Sequence, residues 1–122
     1  MAYHSFEDLE VWQKACRQSV SIYEEFDACR KFSLKDQIER AGLSVASNIA
    51  EGSEQNSSVD FQRFLNIAIG SNGEVRTQLY IAKKLDLLSQ ESFNNLISEA
   101  KEISAMIRGL WQSIEARKQT SH

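Results

Sequence analysis

From Phe61 to Leu88 the chain reads as a helix that is apolar on two faces, and this constrains what the rest can be. On a 3.6-residue wheel Phe61, Phe64, Leu65, Ala68, Val75, Leu79 and Ala82 share one stripe. Ile67, Ile81 and Leu85 fall on a second, beside Glu74 and Gln78. A helix apolar on more than one side is covered on more than one side. In a chain of 122 residues the extra cover is expected from another subunit. Gly70-Ser-Asn-Gly73 interrupts the pattern with residues that ordinarily mark a turn, and each glycine costs roughly 1 kcal/mol in a helix interior. Because Phe61 and Leu79 stay in register across it, the spacing favours one continuous helix whose glycines admit close backbone packing.

The stretch before it repeats the theme. Leu34, Ile38, Ala41, Val45 and Ile49 form a core stripe, with a milder strip of Leu43, Ala46 and Ala50 about a third of a turn away. Ala41, Gly42, Ser44 and Ser47 are small enough to bring a neighbouring helix to the low end of the usual ~8–10 Å separation. Arg40, Ser44, Ser47 and Glu51 project opposite the core. Glu51-Gly52 ends this helix, the glycine suiting a left-handed residue. Residues 53–58 are a polar turn, and Ser57 or Ser58 caps the next helix.

Towards the N-terminus, Met1 to His4 read as a disordered lead-in, and Ser5 with Asp8 resembles a capping box. Leu9, Trp12, Cys16, Val20 and Tyr23 then form the expected core stripe, flanked by Val11, Ala15, Ile22 and Phe26. Ser33 and Asp36 give a second start signal, and Ser89 a fourth helix start. Phe93, Leu96, Ala100, Ile103, Ile107, Leu110, Trp111 and Ile114 line the last helix, and Arg117 to His122 form a polar tail. There is no proline, and every connection is short, so consecutive helices are expected to be antiparallel neighbours. The expectation is one all-α domain, 1–122: an antiparallel up-down-up-down four-helix bundle with helices about 6–27, 34–51, 58–88 and 90–116.

Three runs carry a resemblance. Leu9-x-Val-Trp12, Arg40-Ala-x-x-Ser-x-x-x-Asn-x-Ala-Glu-Gly52 and Phe64-Leu-x-x-Ala-x-Gly-Ser71-x-x-Glu74-x-x-x-Gln78-Leu are similar to the four-helix-bundle family typified by the 23S rRNA intervening-sequence protein. The accessory protein of diversity-generating retroelements is a relative. The resemblance implies a ring-like homopentamer. Those retroelement relatives are basic and bind nucleic acid and a reverse transcriptase, and this chain departs from them in charge.

That departure is quantitative. Fourteen basic and 17 acidic side chains leave a net charge of −3, so five copies would carry −15. Such a surface does not attract polyanions overall, although a local basic patch can. The candidate nucleic-acid contacts are Arg30, Lys31 and Lys35 at the first connection, with Arg117 and Lys118 at the far end of the last helix. Asp27, Asp36 and Glu39 surround the first group, which reads equally as a solvated loop. In the expected topology the two groups sit at opposite poles, and a ring would multiply each by avidity.

No catalytic constellation is present. A di-iron site in a helical bundle needs Glu-x-x-His pairs on facing helices, and the histidines here are His4 and His122, at the two ends. No histidine is placed to activate a serine or cysteine, and no strand precedes Gly70 and Gly73 to make a phosphate-binding loop. The chain is therefore expected to be no enzyme and to need no metal or cofactor. Cys16 and Cys29 lie too far apart on one helix for a disulfide, and Cys16 reads as a small buried hydrophobe. No run approaches the ~20 apolar residues of a membrane span, and no signal sequence opens the chain, so the cytoplasm is expected.

Glu74 has two readings: a carboxylate buried among Ile67 and Ile81 and paired with Arg40 or Asn48 within or between subunits, or an exposed surface residue. Asn48, Glu51 and Gly52 read as structural, closing the second helix, and Gln78 as part of the same polar interface as Glu74. Two function classes stay open: an oligomeric adaptor that recruits a protein partner, favoured by the negative charge, and a nucleic-acid-binding accessory protein, favoured by the resemblance.

Overall fold

The structure, a computed structural model, describes residues 5–120. It is all-α: helices α1 (Glu10–Glu25), α2 (Phe32–Ser53), α3 (Ser58–Lys84) and α4 (Gln90–Thr120), with a 3-10 turn at Phe6–Asp8 and no strand among the described residues. The helices touch in a closed cycle, α1 to α2 to α3 to α4 and back to α1, with none packed across the diagonal.

Two apolar clusters fill the interior. One gathers Val45, Ile49, Leu65, Ile103 and Ile107, the other Ile22, Phe26, Ile38, Val75 and Leu79. Burying each such side chain contributes about 1.5–3 kcal/mol. Between the clusters runs a polar layer that the apolar pattern does not reveal. Gln18 lies between Ala15 and Ile22, and its amide donates to the Leu96 carbonyl at 3.2 Å. Asn72, between Ala68 and Val75, is fully buried and donates to the Ala100 carbonyl at 2.7 Å and to Ser104 Oγ at 2.9 Å. A third amide, Gln62, lies outside this layer, toward the other end of the first cluster, and donates to the Trp111 carbonyl at 3.3 Å. All three acceptors belong to α4.

This layer explains where α1 differs from its expected register. The buried residues are Val11, Ala15, Gln18, Ser19 and Ile22, while Val20 and Tyr23, expected in the core, are 57% and 42% exposed. Gln18 interrupts the true core stripe with a polar side chain, so the stripe beside it looks more apolar. Leu9, Trp12 and Cys16 of that stripe do pack against the core, and only its later members Val20 and Tyr23 face outward. The start of α1 differs too. Ser5 makes no capping bond; Leu9 is extended and divides the 3-10 turn from α1. Gln13 Nε2 ties the turn down through the Glu7 carbonyl at 2.7 Å. Likewise Ser33 does not cap α2, which begins at Phe32 after Lys31. Ser57 does cap α3, accepting from the Asp60 N–H at 3.1 Å, and Ser89 accepts from the Ser92 N–H at 3.0 Å. Met1 to His4, His122 and the last part of the polar tail lie outside the described residues.

The glycines act otherwise than their positions suggest. α3 runs unbroken through Gly70 and Gly73, yet nothing lies within 4 Å of where a Cβ would stand at either, so neither serves close packing within the chain. Close approach belongs to Gly52, where a Cβ would come 2.8 Å from Phe64 Cβ and 3.0 Å from Phe61 Cδ1. Gly52 is not left-handed but lies in the last turn of α2, where it lets the start of α3 come against it. The left-handed residue is Asp86 (φ 58°), after the end of α3. There the Leu87 N–H reaches the Ala82 carbonyl (2.9 Å) and the Asp86 N–H the Lys83 carbonyl (3.1 Å). These are the paired bonds that close a helix whose next residue is left-handed.

Candidate interaction surface

Apolar side chains that the core does not absorb define the surface. Among the described residues, the exposed large hydrophobics lie on α1, α2, α3 or at Leu85, which ends α3; none lies on α4. Most of them form two faces that meet at α2, while Tyr80 stands edge-on to Phe93 of α4 with ring centroids 5.1 Å apart. The first is a groove of about 400 Å³ between α1 and α2, lined by Phe6, Trp12, Cys16, Val20, Leu43 and Ala46. Phe6 stands edge-on to Trp12 with ring centroids 5.1 Å apart at the lower end of the groove. Cys16 is partly buried there, and burial pushes its thiol above the usual range; both cysteines are free.

The second face is the edge of α3 beside α2, with Ile67, Ile81 and Leu85 exposed as the two-faced pattern implies. Polar groups border it. Ser44 and Ser71 share a hydrogen bond of 2.8 Å, and Gln78 Nε2 donates to Gln37 Oε1 at 3.4 Å. Gln37, Arg40, Ser44, Glu74 and Gln78 surround a shallow cavity of about 300 Å³. Glu74 is exposed. Within the chain Arg40 pairs with Asp36 at 2.9 Å, and Asn48 donates to the Ser44 carbonyl and Oγ at 2.8 and 2.9 Å. Within the chain neither pairs with Glu74. Glu51 is exposed, and its carbonyl accepts from Gln55 Nε2 at 3.0 Å.

The basic candidates remain in two separate groups. Arg30 and Lys31 are exposed, but Lys35 donates to the Asp27 carbonyl at 3.0 Å and shares its surroundings with Glu24, Asp27 and Glu39. At the other group Lys118 is drawn inward, donating to Gln62 Oε1 at 2.7 Å and pairing with Glu115 at 3.2 Å. It and Arg117 belong to the last turn of α4 rather than to a tail. From Gln62, which touches Lys118, to Gln78, which touches Gln37 of α2, α3 rises about 24 Å at ~1.5 Å per residue. The two groups do not converge. No group of three or more His, Cys, Asp or Glu among the described residues is placed to hold a metal ion, and no helix is long and apolar enough to cross a membrane.

The family model described as 23S rRNA-intervening sequence protein matches residues 7–109. The chain belongs to that family. No curated protein matches it. A solved structure from Bacteroides thetaiotaomicron, described as a protein of unknown function from the S23 ribosomal protein family, is similar with a TM-score of 0.78. It shares 26% identity and covers 83% of this chain and 97% of its own. The matched stretch of the 23S rRNA-intervening sequence protein family takes in both apolar faces and the polar residues of the α2–α3 seam.

Proposed function

We propose that the protein is a non-catalytic, self-assembling adaptor: an antiparallel up-down-up-down four-helix bundle that forms a ring-like homopentamer and offers its outer surface to a protein partner in the cytoplasm. The antiparallel course is supported by the contacts between α2 and α3, where Gln37 meets Gln78, Ser44 meets Ser71 and Gly52 meets Phe61 and Phe64. The observation that carries self-assembly is the division of the surface, apolar on α1 to α3 and polar on α4. Exposed apolar faces of this kind mark sites of association. A ring of five is what membership of the 23S rRNA-intervening sequence family implies.

An adaptor is favoured over a nucleic-acid-binding protein because the basic groups are small, separate and partly neutralised by neighbouring carboxylates. Light scattering on nuclease-treated protein, with RNA and DNA titrated across a salt series, tests both points. A stable monomer at micromolar concentration ends the assembly reading. Nucleic-acid affinity that falls steeply with salt, and drops in Arg30→Glu/Lys31→Glu, replaces the adaptor with an accessory protein that grips phosphates.

A further inference from the structure

We propose that copies of this chain join head to tail, the α1–α2 groove of one receiving the α3 edge of the next, so that α2 faces the ring axis and α4 the outside. This rests on the self-assembly reading above and specifies its geometry.

The first support is shape. On the α1–α2 face Val20 and Leu43 protrude at mid-height, 57% and 47% exposed. Gly42 packs on Ser19 and Ile22, and Ser44 on Ser71, which sets Val20 and Leu43 within a turn of Gly70 along the axis. Gly70 leaves open space on the α3 edge, with nothing within 4 Å of a Cβ position, and Ile67 and Ile81 stand to either side of it along the helix. A protrusion and a notch therefore occur at one height on two different faces. Pairing a face with itself sets protrusion against protrusion or notch against notch.

Charge opposes pairing the groove with itself. Glu24, Asp27 and Glu39 outnumber Lys35 at the upper end of the groove, and Glu7 and Asp8 follow Phe6 at its lower end. Two grooves facing each other would set acid against acid whichever way the two-fold axis ran, and like charges brought together oppose association. The α3 edge and its seam with α2 present a mixed border instead, Arg40 paired with Asp36 at 2.9 Å and Glu74 sharing the cavity beside it.

Closure follows from the helix cycle. The α1–α2 and α2–α3 faces are adjacent sides of a four-helix square, so their outward directions differ by about 90°. A head-to-tail ring needs about 90° for four copies and about 108° for five. The corner between the two faces, α2, then points to the axis, and α4, diagonally opposite, carries none of the exposed large hydrophobics.

Two variants test it, each blocking one face: Leu43→Glu on the groove and Ile67→Glu/Ile81→Glu on the edge. All three positions are exposed, so circular dichroism is expected to report intact helices. Each variant alone is expected to run as a monomer, its dissociation constant raised at least about tenfold. Mixed one to one, they are expected to form a heterodimer and nothing larger, since only one intact groove and one intact edge remain. A monomeric wild type overturns the assembly reading and this geometry with it. An oligomeric wild type whose mass neither variant changes, or a variant that still pairs with itself, overturns the head-to-tail geometry alone. Gly70→Leu, which fills the notch at an open helical position, is expected to stay helical and dissociate; wild-type mass for it would remove the seating of Leu43 and Val20.

Discussion

The side-chain amide of Asn72 donates to the Ala100 carbonyl at 2.7 Å with no solvent exposure at Asn72. The carbonyl is part of α4, so this bond fastens α3 to the backbone of its neighbour rather than to a side chain. Asn72→Ala removes it, strands Ser104 and opens a void, and is expected to cost about 1–3 kcal/mol in urea unfolding. Asn72→Asp is expected to cost more at neutral pH, because a carboxylate would face a carbonyl oxygen. Part of that loss should return in acid, where the protonated carboxyl can donate; equal stability of the two variants at all pH would contradict the bond's role.

Gly52 and Gly109 should respond to the same change with opposite sign. A Cβ at Gly52 meets Phe64, Phe61 and the Phe61 carbonyl within 3.2 Å. Gly52→Ala is therefore expected to lower stability by about 1–3 kcal/mol through overpacking. At Gly109 nothing lies within 4 Å, so Gly109→Ala is expected to raise stability by roughly 1 kcal/mol on helix propensity alone. Thermal melts of the two variants side by side check the contrast.

Asp86 holds φ 58° at the close of α3. A left-handed conformation is easier for glycine than for aspartate, and the two capping bonds there come from backbone groups that glycine keeps. Asp86→Gly is expected to stabilise by up to about 1 kcal/mol, read as a raised urea midpoint, and Asp86→Val to destabilise.

Glu99 lies partly buried on α4, and desolvation raises its carboxyl above the usual value despite Lys14 and Arg17 nearby. A carboxyl whose folded pKa is raised contributes stability at low pH, and that contribution is lost as pH rises through the folded value. Glu99→Gln should therefore melt above wild type at pH 7, with the difference vanishing below about pH 4, under the ordinary carboxylate range. A melting gain that persisted into acid would assign the effect to something other than ionisation.

Much of this fold is legible in the order of side chains. Ile38, Ala41, Val45 and Ile49 stand every three or four residues and are buried, and the second edge of α3 is visible in Ile67, Ile81 and Leu85, which are exposed. α1 is harder because its core includes Gln18 and Ser19, and hydrophobicity cannot identify an amide that is buried because a carbonyl on another helix awaits it. The groove on α1 and α2 was hidden for the same reason: Val20 looks like core until Gln18 is seen to occupy that side. A glycine also reads alike whether it admits a neighbour, as Gly52 does, or faces open space, as Gly70 does. That difference lies in the distance to another helix.

The buried amides also bear on how α4 rests. Apolar ridges alone let a helix slip along its neighbours by a turn, since one leucine or isoleucine replaces another at little cost. Gln18, Asn72 and Gln62 hook the carbonyls of Leu96, Ala100 and Trp111, three depths along one helix. A carbonyl recurs at every turn of a helix, so the depth is chosen by the side chains that two of these amides hold as well, Ser104 Oγ for Asn72 and Glu115 Oε1 for Gln62. α4 is thus indexed by a serine and a glutamate set beside the carbonyls, and a slip of one turn would leave both behind.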